Sequence, residues 1–250
     1  MNFLRGFLDN DSAFGRLMTR CGILIAANIL FALCTLPVLT IGPGWAALYH
    51  VLFRTLRGDG ELNPFREFWR GLRTNFKQAM LCWLAIVFLL AFLGLEWYWC
   101  GQFGGIFRTW RFALVMIAAA IVILSIYLFP VMAAFAASIP NLLRFSLYFA
   151  LKKPLYLIVI LFFHLFPPFL TYSDLGSLPL YAFLWSVIGF AAIAMLSATL
   201  LLREFLPFLP AVDSNGDFLT APEDGTESEN GGAAVKTEAE ILEEMKKLGM

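Results

Sequence analysis

One long stretch without charged residues decides which solvent the chain can fold in. From Phe112 to Ala137 there are 26 consecutive residues without Asp, Glu, Lys or Arg. A helix of about 20 apolar residues crosses the hydrocarbon core of a membrane, which is about 30 Å thick. Only 14% of the chain is charged, against about 25% in ordinary soluble domains. The run is therefore predicted to be a transmembrane helix.

Four further apolar runs approach the same length, so the predicted fold class is an all-α polytopic transmembrane helical bundle. The first run is not expected to be a cleaved signal peptide, because charged residues precede it and no small-x-small cleavage site follows. The fourth run is expected to end at Pro167-Pro168, because proline lacks the backbone donor that continues a helix. The five predicted spans are Cys21 to Ile41, Ala79 to Leu95, Phe112 to Ala137, Leu155 to Leu170 and Leu178 to Leu202.

The distribution of Lys and Arg predicts the orientation of these spans. Basic residues concentrate between the first and second runs and between the third and fourth, so both connections are expected to be cytoplasmic. Residues 1–210 hold 15 Lys and Arg against 8 Asp and Glu, whereas residues 211–250 hold 3 against 10. A basic body favours the anionic cytoplasmic leaflet. The acidic C-terminus is predicted to lie in the cytoplasm as well.

The N-terminal arginines also favour the cytoplasm, although a single crossing by the first run would place them outside. The apolar stretch 41–53 is too short to span, and we expect it to form a short broken or re-entrant helix after the first span. Cys21 to Phe53 is accordingly interpreted as a broken helical hairpin. Five spans with the N-terminus outside remain the alternative. The residues expected to form the structural break are Pro37, Thr40, Gly42, Pro43 and Gly44, with the sharp break itself at Gly42, Pro43 and Gly44.

The connection after this hairpin contains a candidate docking element. Asn63 followed by Pro64 predicts the N-cap and first residue of a helix. Aromatic and basic side chains then form two adjacent stripes at helical spacing, which suits a helix lying in the headgroup layer. Such a helix either steadies the bundle at the membrane surface or binds a cytoplasmic partner such as an ATPase subunit. The candidate lipid-docking or partner-docking residues are Phe65, Arg66, Phe68, Trp69, Arg70, Arg73 and Lys77.

Residues for chemistry are sparse. The chain has two histidines, His50 and His164, and neither has a carboxylate or second metal ligand nearby in sequence. We therefore expect no catalytic, cofactor-binding or metal-binding residues, and a protein that is not an enzyme. The candidate markers of a transport path are Asn28, His164 and Glu96. His164 is expected to make one interhelical hydrogen bond, and Glu96 to reach water at the outer boundary.

Three regions follow from these observations. Residues 1–20 are predicted to be a cytoplasmic or interfacial segment, and residues 21–205 the transmembrane helical domain. Residues 206–250 are predicted to be an acidic, mostly disordered cytoplasmic tail. A short helix is predicted near its end, from Thr237 to Leu248, where a capping-box spacing precedes an apolar stripe.

One sequence pattern resembles a known family. It begins with Leu36-Pro37-Val38-Leu39-Thr40-Ile41-Gly42-Pro43, has Ala46-Ala47-Leu48 behind it, and continues with Phe68 and Asn75-Phe76-Lys77-Gln78. This pattern resembles the YesL family of bacterial multi-spanning membrane proteins, a domain of unknown function, over roughly residues 1–205. Members are often encoded beside carbohydrate ABC importers and glycoside hydrolases. The resemblance implies a multi-pass protein of the bacterial cell membrane with an accessory or regulatory role in carbohydrate uptake.

The partners implied are membrane lipids and the permease or ATPase subunits of an ABC importer, with no nucleic acid and no cofactor. A homo-oligomer, formed through small-residue faces such as Gly189, Ala192 and Ala194, stays open. The alternative function is a stand-alone permease for a neutral small solute. A permease needs a polar path near the midplane, whereas an accessory subunit can have a dry core.

Overall fold

The computed structural model describes residues 13–58, 62–103, 105–209 and 243, and these residues are entirely helical or in short connections. The described part contains seven helices. The seventh has two α-helical parts joined by a π turn at Trp185–Gly189. The helices are α1 (Ala13–Cys34), α2 (Ile41–Arg57), α3 (Pro64–Gln102), α4 (Ile106–Ala134), α5 (Ile139–Lys152), α6 (Pro154–Ser173) and α7 (Leu178–Leu184 and Phe190–Phe205).

Five of these helices are long and apolar enough to cross a membrane, as the sequence predicts. They are α1, α3, α4, α6 and α7. The bound predicted for the fourth span is wrong, because α6 continues through Pro167 and Pro168 to Ser173. Prolines are tolerated in transmembrane helices where neighbouring groups and small local adjustments satisfy the backbone groups that proline frees.

The break after α1 lies earlier than predicted. The helix ends at Cys34, and the chain turns through a short 3-10 segment, Val38–Thr40, directly into α2. Thr40 fixes this turn, because its hydroxyl donates to the carbonyl oxygens of Cys34 and, at 2.7 Å, of Pro37. Trp83 of α3 anchors the turn by donating to the Val38 carbonyl at 2.9 Å. Pro37 and Thr40 therefore belong to the break, as predicted.

The predicted role of Gly42, Pro43 and Gly44 in the break is corrected. All three lie inside the first turn of α2 and are buried. Proline is compatible with that position because the first backbone donors of a helix need no intrahelical partner. The glycines serve close packing: a β-carbon on Gly42 would lie 2.5 Å from Trp83 Cβ, and one on Gly44 3.3 Å from the Phe31 ring.

The long helix α3 contains both the predicted surface helix and the predicted second span. It runs without interruption for 39 residues, which at 1.5 Å per residue is about 58 Å. The expected surface helix and the second span are therefore one helix, which is a correction. Because the hydrocarbon core is only about 30 Å thick, the basic N-terminal part of α3 projects beyond it.

The core surrounds α2, which packs against α1, α3, α4 and α7. Its residues Ala46, Ala47, Leu48, Val51 and Leu52 are completely buried. Aromatic rings extend this core towards the end of the bundle where α3 begins. By contrast, the far part of the α3–α4 hairpin exposes large apolar side chains such as Phe88 (70% exposed) and Phe112 (73%), as expected for a surface that contacts lipid.

Candidate functional site: a basic docking groove

The site is built on the first four turns of α3. Asn63 caps this helix, because its side-chain oxygen accepts from the backbone N–H groups of Phe65 and Arg66 at 3.1 and 3.3 Å. Pro64 occupies the first helical position. The sequence prediction of the helix start is thereby confirmed. The cap satisfies two of the backbone N–H groups that have no partner within the helix at its first turn, and it fixes the residue at which α3 begins.

The aromatic stripe predicted for this helix divides between two faces. Phe68 and Leu72 are buried, at 2% and 7% exposure, and face the core. Phe65 and Trp69 remain exposed, at 63% and 53%. Phe68 is therefore a core residue and is unavailable for docking, which corrects its predicted role.

Gly71 allows α2 and α3 to approach each other closely at this point. A β-carbon on Gly71 would lie 2.7 Å from His50 Cβ. Gly42 makes the reciprocal approach from α2 towards Trp83. One glycine on each helix thus leaves room for the two helices to pack closely. The close approach brings polar side chains of α2 and α3 into contact.

Those side chains form a buried ion cluster around Glu67, whose side chain is only 8% exposed. One carboxylate oxygen lies 3.0 Å from Arg54 Nη1 and 3.5 Å from His50 Nε2. The other lies 3.5 Å from Arg70 Nη1. Arg70, predicted as a docking residue, therefore also has a structural role. An anion held by basic groups from two helices fixes the α2–α3 connection.

A groove of about 840 Å³ lies further along α3, between this helix and the link from α4 to α5. Gln78 bridges the two walls, because its side-chain amide donates to the Ala137 carbonyl at 3.4 Å. The residues that line this docking groove are Trp69, Leu72, Arg73, Thr74, Asn75, Phe76, Lys77 and Gln78 from α3, and Ala136, Ala137 and Ser138 from the link.

The groove combines an apolar wall with a basic rim. The Arg73 guanidinium stacks on Trp69, with its carbon 5.3 Å from the ring centroid, and Lys77 lies one turn further along α3. Among the described residues, Arg66, Arg73 and Lys77 have no carboxylate partner. Trp69, Arg73 and Lys77 therefore line the groove together, while Phe65 and Arg66 lie exposed at the start of the same helix.

A second buried carboxylate lies at the neighbouring junction of α5, α6 and α7. Glu204 is 5% exposed and pairs with Lys153 directly and with Lys152 Nζ at 3.6 Å. The Glu204 carboxylate accepts a hydrogen bond from Lys153 and raises the pKa of that ammonium group above its usual range. This pair connects the end of α7 to the start of α6. The next residue, Phe205, packs on Phe135 with ring centroids 5.3 Å apart, at the start of the link that forms one wall of the groove.

Asn28 lies on α1, is fully buried, and forms hydrogen bonds with the backbone at the π turn of α7. Its amide donates to the carbonyls of Trp185 and Ser186 at 2.9 and 2.8 Å, and its oxygen accepts from Ala191 N–H at 2.8 Å. A π turn displaces the regular helix ladder and leaves backbone groups without their usual partners. Asn28 satisfies three of them, and its side chain serves the fold.

His164 and Glu96 have different surroundings from each other. His164 Nδ1 donates to the carbonyl of Ile160 in its own helix at 2.9 Å, and the ring lies 6.2 Å from that of Trp45. The predicted interhelical hydrogen bond is therefore wrong, since the bond is local to α6. Glu96 is half-buried on α3, one residue before Trp97. Neither residue is brought to the groove.

Sequence reasoning missed Glu67 and Glu204, the two carboxylates that organise this end of the bundle. A signal was present for Glu67, which lies among four basic residues of a single predicted helix. Glu204 follows Arg203 at the end of the last span, and its lysine partners are about fifty residues earlier. No spacing rule connects positions so far apart.

The side chains that line the groove are suited to binding another molecule. Cations on a planar aromatic wall hold carboxylates and apolar side chains together. Within the described residues, no group of three or more His, Cys, Asp and Glu is placed to hold a metal ion.

Comparison with known proteins places the segment that builds this site in a family. Residues 24–97 match the model of DUF624, described as a protein of unknown function. Searches of the curated proteins and of the solved structures found no match. The matched segment contains the turn at Thr40, all of α2 and the α3 wall of the groove. The resemblance to the YesL-type membrane proteins is thereby confirmed over residues 24–97, the segment in which the chain matches this family of unknown function.

Proposed function

We propose that this protein is an accessory or regulatory subunit of a bacterial carbohydrate ABC uptake system, and that it binds a cytoplasmic component of that system in the docking groove. The carbohydrate connection comes from the role implied by the resemblance to the YesL family. The observation that carries the binding role is the groove itself, whose aromatic wall and cationic rim lie on the part of α3 that projects beyond the hydrocarbon core.

The chemistry of the groove defines the partner surface. Arg73 and Lys77 favour carboxylates, and Trp69 and Phe76 offer aromatic contact area to an apolar side chain. Interfaces are enriched in such aromatic and arginine anchors. The complementary surface is a segment of the partner in which an apolar residue lies beside acidic ones.

The stand-alone permease is less well supported. A permease needs polar groups that face a water-accessible path near the midplane. Asn28 uses its side chain on the π turn, and His164 bonds to its own helix. The mid-bundle polar residues that the sequence offers for a path are therefore engaged in internal hydrogen bonds.

The test is isolation of the tagged protein from its native cells in mild detergent, followed by mass spectrometry of the proteins that accompany it. Charge reversal of Arg73 and Lys77 to Glu is the informative variant, because Arg70 contributes to the Glu67 cluster and its reversal would disturb the fold. We expect permease or ATPase subunits with the wild type and their loss with this variant.

The matched control reverses Arg144 and Arg203, which are exposed basic residues outside the groove. This control is expected to retain the partner. Recovery of the protein alone from wild-type cells would contradict the accessory role and would make transport assays in liposomes the next experiment.

A further inference from the structure

The same chain contains a segment that matches the docking groove in charge and polarity. Residues 213–224 have four carboxylates and no Lys or Arg. Two adjacent apolar residues, Phe218 and Leu219, lie in the middle of this segment. The carboxylates are those of Asp213, Asp217, Glu223 and Asp224. The pattern is an apolar pair flanked by acids, which is the kind of surface proposed above for the partner of the groove.

The end of the described chain packs against the residue that precedes one wall of the groove. Leu209 N–H donates to the Phe205 carbonyl at 3.1 Å, and the Phe205 ring packs 5.3 Å from that of Phe135. Phe135 directly precedes Ala136, which lines the groove. Phe208 continues this contact, with its ring 5.7 Å from that of Phe149. The last described turn of the chain is therefore connected, through Phe135, to the wall formed by residues 136–138.

The connecting chain is long enough for the contact. Nine residues lead from Leu209 to Phe218, and they reach at most about 30 Å when fully extended. A flexible chain of this length has a typical end-to-end distance of about 17 Å. Two groups joined by so few residues have an effective concentration on the order of millimolar, so a contact with a lower Kd would be well populated.

We propose that residues 213–224 occupy the docking groove of their own chain and compete there with the partner protein. Phe218 and Leu219 lie against the aromatic wall of Trp69 and Phe76, and the flanking carboxylates lie beside Arg73 and Lys77. The intramolecular contact needs no partner, whereas its role as a competitor rests on the proposed function. The acidic tail thus acts as a built-in inhibitor of docking.

The direct test is photocrosslinking of the purified full-length protein in nanodiscs. A photoreactive benzoylphenylalanine replaces Phe76, which lines the groove and is 37% exposed. We expect crosslinks to residues 213–224 within one chain, mapped by mass spectrometry. The matched control places the same group at Phe92, on the lipid-facing hairpin and 52% exposed, where we expect no tail crosslink.

Two manipulations identify the forces involved. Changing Phe218 and Leu219 to Ala should abolish the crosslink, whereas Ile241→Ala and Leu242→Ala, in the other apolar part of the tail, should not. Raising the ionic strength from 0.1 to 1 M shortens the Debye length from about 10 Å to about 3 Å, and the crosslink yield should fall severalfold. Crosslinks from position 76 to lipid only, or to the tail of a second copy only, would overturn the proposal.

The competition is tested in native cells with the four carboxylates of residues 213–224 changed to Asn or Gln. This variant should recover several times more partner than the wild type. Equal recovery from both would contradict the inhibitory role while leaving the contact intact. If neither recovers a partner but the crosslink forms, the proposed function fails and the intramolecular contact stands.

Discussion

The guanidinium of Arg54 lies 3.0 Å from the carboxylate of Glu67, and both side chains are less than a tenth exposed. Arg54 belongs to the last turn of α2 and Glu67 to the first turn of α3. The pair therefore closes the connection between the short helix α2 and the helix α3, which carries the docking groove. His50 and Arg70 complete the cluster around the same carboxylate.

Loss of the Glu67 carboxylate should strongly destabilise the bundle. Glu67→Ala would remove the carboxylate that lies 3.0 Å from the buried Arg54 guanidinium, and removal of one partner of a buried pair costs about 3–5 kcal/mol. The measurement is thermal unfolding of the protein in detergent, followed by intrinsic fluorescence. Glu96→Ala is the control and should unfold close to the wild-type temperature. Equal effects of the two substitutions would contradict the structural role of the cluster.

Asn28 should tolerate no acidic replacement. Asn28→Asp keeps the shape but removes the two donors that satisfy the carbonyls of Trp185 and Ser186. Each buried carbonyl left without its partner costs about 1–3 kcal/mol. Detergent stability should therefore fall well below that of Asn75→Asp, a half-buried control on α3. A wild-type unfolding temperature for Asn28→Asp would show that the π turn does not depend on this side chain.

Gly71 is predicted to accept no added methyl group. In Gly71→Ala the new β-carbon would meet His50 Cβ at 2.7 Å, and relief of such overpacking costs about 1–3 kcal/mol. Gly94→Ala is the matched control on the same helix, because nothing lies within 4 Å of its β-carbon position. It should be neutral or stabilising by up to about 1 kcal/mol, the helix-propensity gain of Ala over Gly. The comparison is made by unfolding temperature in one detergent.

The Lys153–Glu204 pair gives a prediction about pH. The carboxylate raises the folded-state pKa of Lys153, so the stability from this pair is fully present below the ordinary lysine pKa and is lost as the pH rises through the folded value. The difference in unfolding temperature between wild type and Glu204→Gln should therefore stay constant from pH 6 to pH 9. NMR of methyl-labelled lysines should show a lower Lys153 pKa in Glu204→Gln. An unchanged Lys153 pKa would contradict the pairing.

Hydropathy and local capping rules predict which helices form, but they place some of the helix ends at the wrong residues. The start of α3 at Asn63 and Pro64 was predictable, because a cap depends on residues only two or three positions apart. Local rules predict a helix break at Gly42, since glycine and proline together usually interrupt a helix. Its actual role requires Trp83, which lies about forty residues later in the sequence and is brought into contact only by packing.

For the predicted docking residues, too, local sequence predicts the helix but not which side chains are exposed. The basic and aromatic stripes of α3 were visible from their spacing, but spacing could not show that Phe68 turns inward while Trp69 stays exposed. That difference depends on where α2 packs. The groove itself needs the α4–α5 link as its second wall, and no rule of local sequence connects residues 136–138 with residues 69–78.

The sequence by itself determined that this chain is a membrane bundle of five spans with a short helix after the first, because the bilayer imposes a minimum length of apolar helix that can be counted along the chain. Only the tertiary structure decided which charged side chains are buried and which partners they have. Glu67 and Glu204 are buried because cations from other helices lie beside them. Such pairing depends on distance in space, and the packing of helices sets that distance.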